Sequence, residues 1–159
     1  MRALRETLLL VALAVICPSI SCDRPRVEGP GRSYEFIVLE VKGQSLSVEV
    51  AADAQARTLG LMHREHMDEN KGMIFIFNVP SIQKFWMRNT LIALSIAFLD
   101  DSGRILQIED MKPKDERRTV SKDKVRYVLE MNQGWFERHG VTVGDIFVDF
   151  QEKVARYRG

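Results

Sequence analysis

Gly72-Met73-Ile74-Phe75-Ile76-Phe77 is the stretch on which the fold of this 159-residue chain turns. Met73 to Phe77 form a nearly continuous apolar run, as expected of a strand covered on both faces. Asn78-Val79-Pro80-Ser81 follows as a turn signal. Upstream, residues 34–41 and 45–51 flank Lys42-Gly43-Gln44, which predicts a hairpin. Asp53 can cap a short helix reaching about Met62, with Ala54, Ala56, Leu59 and Leu61 as formers and Gly60 allowing close packing near its end. Downstream, residues 84–87, 93–99 and 104–111 read as strands, and Asp100-Asp101-Ser102-Gly103 marks a tight turn.

Residues 112–124 carry charges of both signs and read as a solvated loop. Residues 125–132 alternate: Val125, Tyr127, Leu129 and Met131 face one way, Arg126, Val128, Glu130 and Asn132 the other. Residues 135–139 can make one helical turn before Gly140, and residues 145–152 read as a closing strand. The pattern predicts a mainly β protein, an antiparallel β-sandwich or a partly open barrel with one or two short helices.

The N-terminus reads as an export signal over residues 1–21. Arg2 and Arg5 supply a positive start, residues 8–16 an apolar core, and Ser19-Ile20-Ser21 a small-residue site cut before Cys22. The apolar run falls short of the about 20 residues that span a bilayer. Ser19-Ile20-Ser21-Cys22 also resembles a bacterial lipobox, with Ser19 where Leu is usual. Cys17 leaves with the signal, so Cys22 would be an unpaired thiol in an oxidising compartment unless lipidated. Lipidation of Cys22 is therefore expected, with a soluble secreted protein as the alternative. Asp23 resembles the inner-membrane retention residue of enteric bacteria, a rule that varies between groups.

Residues 22–33 are polar and rich in Pro and Gly, a tether reaching roughly 35 Å when extended. Residues 34–159 then form a single domain. Removing Arg2 and Arg5 from 23 basic residues, and Glu6 from 22 acidic ones, leaves the mature chain balanced in charge. Such a chain has no electrostatic footprint for nucleic acid. The expected partners are a membrane, through the lipid, and an envelope glycan or protein.

Several blocks occur in fixed order: Arg57-x-x-Gly60-Leu61-Met62, Gly72-Met73-x-Phe75-x-Phe77, Phe85-Trp86-Met87-Arg88-Asn89-Thr90 and Ile96-x-Phe98-Leu99. Tyr127-Val128-Leu129-Glu130-Met131-Asn132-x-Gly134 and Gly140-Val141-x-x-Gly144-Asp145 follow. Over residues 38–148 this order resembles the family called domain of unknown function 192, or uncharacterised protein family 0127. The resemblance implies a β-rich sandwich in small prokaryotic proteins that often carry export signals. It brings no agreed substrate, cofactor or catalytic residue. One departure is visible: many members read Ile-Pro-Leu-Asp where this chain has Ile92-Ala93-Leu94-Ser95.

Reactive chemistry finds few carriers. Nucleophilic catalysis needs a Ser, Thr or Cys beside an oriented base, and no Gly-x-Ser-x-Gly turn is present. His63 and His66 are three apart, with Asp68 and Glu69 behind them, but the spacing is not that of zinc proteases and no third ligand is evident. Met62, Met67, Met73 and Met87 near these histidines would suit Cu(I), yet Met62, Met73 and Met87 sit in apolar runs where Met fills core gaps. No metal and no cofactor is expected.

Trp86, Arg88, Asn89 and Thr90 are the candidate ligand-binding residues. An exposed Trp86 can stack on a sugar while Arg88 and Asn89 bond its hydroxyls. The alternative is an inward Trp86, a turn satisfied by Asn89 and Thr90, and an Arg88 paired with a carboxylate. Glu109-Asp110 and Asp115-Glu116 offer the paired carboxylates of glycosidases, beside a charged loop. The leading expectation is a non-catalytic, lipid-anchored binding module; an enzyme acting on envelope polymers through carboxylate chemistry is the runner-up.

Overall fold

Pairing between apolar strands builds one large sheet that other described residues cover on both sides. The computed structural model describes residues 28–29 and 32–158. The expected signal segment 1–21, the lipidation position Cys22 and most of the tether 22–33 lie outside the described residues. Of the tether, Glu28–Gly29 (β1) pairs antiparallel with Arg32–Ser33 (β2).

The hairpin Phe36–Val41 (β3) and Gln44–Ala51 (β4) turns at Lys42 and Gly43, with φ of 49° and 73°. Positive φ at both central residues gives the turn the same twist as its strands. Ala54–Leu59 (α1) starts at Asp53, whose carboxylate accepts the Ala56 N–H at 2.9 Å. Lys71–Ser81 (β5), Lys84–Phe85 (β6), Leu94–Leu99 (β7), Ile105–Met111 (β8), Thr119–Val120 (β9) and Val125–Asn132 (β10) follow. Trp135–Arg138 (α2) and Phe150–Val154 (α3) close the chain.

The six-stranded sheet has the order β3-β4-β5-β10-β7-β8, and β6 with β9 forms a small second sheet. The mainly β class is as expected, and the large sheet is open. It is mixed, because β4 and β5 run parallel while its other pairs are antiparallel. Residues 52–70, with α1, make the crossover that a parallel pair requires.

Row by row, the register assigns side chains to faces. Val50, Ile74, Leu129 and Ala97 share a row on the first face, packed under Trp135, Phe136, Phe147 and Phe150. Ala51, Phe75, Val128 and Phe98 share a row on the second, under Ala56, Leu61, Met67 and Met87. Burial on both faces explains the unbroken apolar character of residues 73–77.

Two local expectations are corrected. Asn78-Val79-Pro80-Ser81 lies inside β5, not in a turn: Ile76 pairs with Tyr127 and Ser81 with Val125, so the residues between them bulge against Arg126 alone. A bulge tolerates Pro80, which has no N–H to give a ladder. Residues 145–152 are not a strand, contributing only an isolated bridge from Ile146 to Arg104 before α3 begins. Phe147 and Phe150 both reach the core, a spacing of three that strand alternation cannot supply, and Asp149 breaks the run at φ 50°. Among the described residues no helix is long and apolar enough to cross a membrane.

Candidate functional site

The cover on the second face is incomplete between the end of α1 and β6, where a cleft of about 470 Å³ opens. Phe75 and Glu130, both buried, form its floor. One wall is Gly60-Leu61-Met62, the segment after α1; the other is Phe77 and Phe85. Phe85 packs edge-on against Phe75 at 4.9 Å and against Phe98 at 6.3 Å between ring centroids. Gly60 takes φ 50°, and a Cβ there would meet the Phe75 ring at 3.3 Å, so glycine keeps this wall close to the floor.

Cations line the cleft from above. Arg57 is committed to the frame: its guanidinium donates to the carbonyls of Ala52 and Ile76 and lies over the Phe77 ring, 5.2 Å from its centroid. Lys84 and Arg118 line the cleft as exposed residues, and no ion pair engages either among the described residues.

Trp86 stands at the rim, 39% exposed. The Arg88 and Arg118 guanidinium carbons lie 5.6 Å and 5.4 Å from its ring centroid, within cation–π reach. Thr90 also lines the cleft but is buried, and its backbone joins Met87 and Lys114. Arg88 and Asn89 do not line it. Arg88 reaches Glu116 at 4.0 Å, and Asn89 takes φ 59° in a turn whose carbonyl accepts the His63 N–H at 2.8 Å. The four candidate residues therefore divide: Trp86 and Thr90 at the cleft, Arg88 and Asn89 in the turn beside it.

Glu130 shares the face that the alternation pattern gave to Arg126, Val128 and Asn132. It is 4% exposed, in a row between Met73 and Ile96. Burial alone pushes its carboxyl up to about 8, with no charge or hydrogen bond from another residue acting on it. Water-poor surroundings penalise the ionised form. An acid set among apolar neighbours in a strand buried on both faces was the available signal.

The other acids are differently placed. Asp110 and Asp115 line a separate hollow of about 330 Å³. Arg117 bonds Asp115 through its side chain and backbone N–H and holds that carboxyl down to about 2, while Asp110 accepts from Ser95. Glu109 is exposed on β8. His66 contacts Asp68 at 3.3 Å, and no cluster of three or more His, Cys, Asp or Glu fit to hold a metal occurs among the described residues. Met67, Met73 and Met87 are core residues; Met62 lines the cleft.

An open, mixed six-stranded sheet covered on both faces, with a cleft over one of them, defines the class of domain. The chain belongs to the DUF192 family (Uncharacterized ACR), whose profile matches residues 37–148. It is similar to a Sinorhizobium meliloti 1021 protein described as a candidate transcription regulator, with 35% identity, 72% of this chain and 93% of that one covered, and a TM-score of 0.67. It is also similar to a Novosphingobium aromaticivorans protein of unknown function, with 30% identity, 79% and 93% coverage, and a TM-score of 0.72. No curated protein matches the chain.

Proposed function

We propose that the protein is a non-catalytic binding module of the cell envelope, held to a membrane by a lipid on Cys22. Its cleft beside Trp86 takes part of a glycan, a peptide or a partner protein. The observation that carries this reading is the position of Trp86, which stands at the rim of an opening walled in part by Phe77 and Phe85, within cation–π reach of two guanidinium groups. Aromatic surface with fixed polar neighbours is the usual make-up of a ligand site. A helix-turn-helix role has no element to carry it, since the longest helix among the described residues has six residues.

The test is binding of the purified protein to an array of envelope glycans and peptides, with Trp86→Ala alongside. A signal lost in the variant supports the site; equal signals from both proteins would falsify the assignment. Acyl labelling that survives Cys22→Ala would refute the anchor.

An enzyme acting on envelope polymers is favoured by one observation: Glu130 keeps its proton near neutral pH, as a general acid must. Glycoside hydrolysis needs a second carboxyl across the cleft, and no other acid lines this one among the described residues. Polymer cleavage abolished by Glu130→Gln would restore the enzyme reading.

A further inference from the structure

We infer that the cleft receives the protonated amine of a zwitterionic ligand against Glu130, with the ligand's anionic group held by Lys84 and Arg118 at the rim. The inference rests on the binding reading above and names the chemistry of the ligand.

Three placements carry it. The first is a buried carboxyl that no group of the described residues engages. Glu130 is buried on the floor of an open cleft, flanked in its row by Met73 and Ile96, and no donor from a described residue reaches its carboxyl. Protonated, this carboxyl is neutral; a donor carrying positive charge draws it into the ionised form, which only accepts.

The second placement is the absence of an internal cation to serve. Arg57 lines the cleft, but its Nη1 serves the Ala52 and Ile76 carbonyls, its guanidinium lies over the Phe77 ring, and it does not act on the Glu130 carboxyl. Lys84 and Arg118 also line the cleft, yet neither acts on the Glu130 carboxyl. Any positive charge that reaches the floor therefore comes with the ligand.

The third is the polarity of the opening. Lys84 and Arg118 have no ion-pair partner among the described residues and suit a carboxylate or similar anion at the mouth. Between mouth and floor the walls include Phe77, Phe85 and Met62, which suit a short aliphatic spacer. Amine, spacer and carboxylate together describe an amino acid of the lysine type, free or at the end of a peptide. A simple amine would meet a cationic mouth, and a simple acid would leave Glu130 unmatched.

The proton accounts for a readout that a merely structural Glu130 would not move. Before a ligand binds, the carboxyl holds its proton at pH 7, because burial pushes it up to about 8. An ammonium group seated against it favours the carboxylate, so the proton leaves as the ligand enters.

The experiment is calorimetric titration of the full protein at pH 7 with 6-aminohexanoate, hexanoate, hexylamine and Nα-acetyl-lysine. It is repeated in buffers of different ionisation enthalpy to count protons. Expected are tightest binding by the two amino-carboxylates, release of close to one proton per ligand, and weakening by about 10-fold or more in Glu130→Gln. Arg118→Gln should weaken the carboxylate probes and leave hexylamine within about 2-fold. Nα-acetyl-lysine binding above 6-aminohexanoate indicates a peptide source, and the reverse a free amino acid. Hexanoate binding as tightly as 6-aminohexanoate, no proton release, or an unchanged affinity in Glu130→Gln overturns the inference. Silence of all four probes also overturns it; array ligands that still depend on Trp86 then preserve the broader binding reading, and silence of both retires the two together.

Discussion

Glu49 and Glu130 stand in one cross-strand row with Met73 between them, and only Glu49 has a cation. Arg64 grips Glu49 with two parallel hydrogen bonds of 2.5 and 2.6 Å, the bidentate geometry of the strongest ion pairs. Both members of that pair are largely withdrawn from water, at 12% and 3% side-chain exposure. The same sheet face thus holds one carboxyl closed off by the protein and one that opens onto a cleft.

Breaking the closed pair should cost more than removing it. Arg64→Met leaves a buried, unpaired carboxylate and should destabilise the protein by about 3–5 kcal/mol. Adding Glu49→Met should recover most of that loss, since two apolar side chains of similar length need no partner. Urea denaturation of the three variants measures both steps. A double variant no more stable than Arg64→Met would count against the pair as the cause.

Glu130 should give stability a pH dependence of unusual sign for an acid. Its folded carboxyl sits at about 8 against an ordinary 4.5. Below 4.5 both states hold the proton and no difference arises. Between 4.5 and about 8 the unfolded chain ionises while the folded one does not, so stability falls as pH rises, by up to roughly 1 kcal/mol per pH unit. Above that window the effect is constant. Glu130→Gln should therefore gain on the natural protein between pH 4 and pH 8. Parallel urea midpoints for the two proteins across that range would disprove it.

The fold was legible where chemistry is local. Lys42-Gly43 specifies its own turn, Asp53 its own cap, and residues 73–77 a strand covered twice, all within a few residues. Asn78 to Ser81 and residues 145–152 misled because their conformations depend on distant partners: the uneven register against β10, and the core that receives Phe147 and Phe150. At the site, an aromatic residue set directly beside Arg88, Asn89 and Thr90 made Trp86 visible. Glu130 was hidden because strand alternation says which residues share a face, not whether that face meets water. Only the cover supplied by α1 and residues 61–67 answers that. Arg118 comes to the rim with the chain around β9, whose pairing with β6 no local pattern announces.

Ser95 occupies the position where many family members carry Asp, and it is fully engaged. Its buried hydroxyl donates to Asp110 and accepts the Gly134 N–H at 2.8 Å, joining β7 to β8 and to the start of α2. Ser95→Ala should cost about 1–3 kcal/mol through the stranded Gly134 donor. Ser95→Asp keeps that acceptor but sets a carboxylate against Asp110, so it should destabilise at pH 7 and be rescued by Asp110→Asn. Thermal melts of the single and double variants decide; equal melting with and without Asp110→Asn would exclude charge repulsion.

Gly72 is required by its neighbours. A Cβ there would lie 2.4 Å from the Glu130 carbonyl oxygen and 2.4 Å from the Met131 sulfur. The sulfur can swing aside, but the carbonyl belongs to the ladder between β5 and β10 and cannot. Gly72→Ala should destabilise by at least about 2 kcal/mol. It should also disturb the cleft, because the strand that moves carries Glu130. Chemical-shift changes at Glu130 in the folded variant are the expected sign, and their absence would show that the clash relaxes elsewhere.

The two tryptophans should separate cleanly in a quenching experiment. Trp135 is fully buried, its indole N–H donating to Asn70 at 2.9 Å, whereas Trp86 is open at the rim between Arg88 and Arg118. Both guanidinium groups raise the local concentration of anions, so iodide should quench a red-shifted component far more efficiently than caesium. That component should vanish in Trp86→Phe, with stability within about 1 kcal/mol of the natural protein because a second aromatic ring keeps much of the contact. Replacing Arg118 with Gln should lower iodide quenching and leave neutral acrylamide quenching nearly unchanged, and added salt should narrow the gap between the two ions. Equal quenching by iodide and caesium in the natural protein would mean that the cations do not face the ring in solution. The electrostatic half of the proposed rim would then fail while the open position of Trp86 stood.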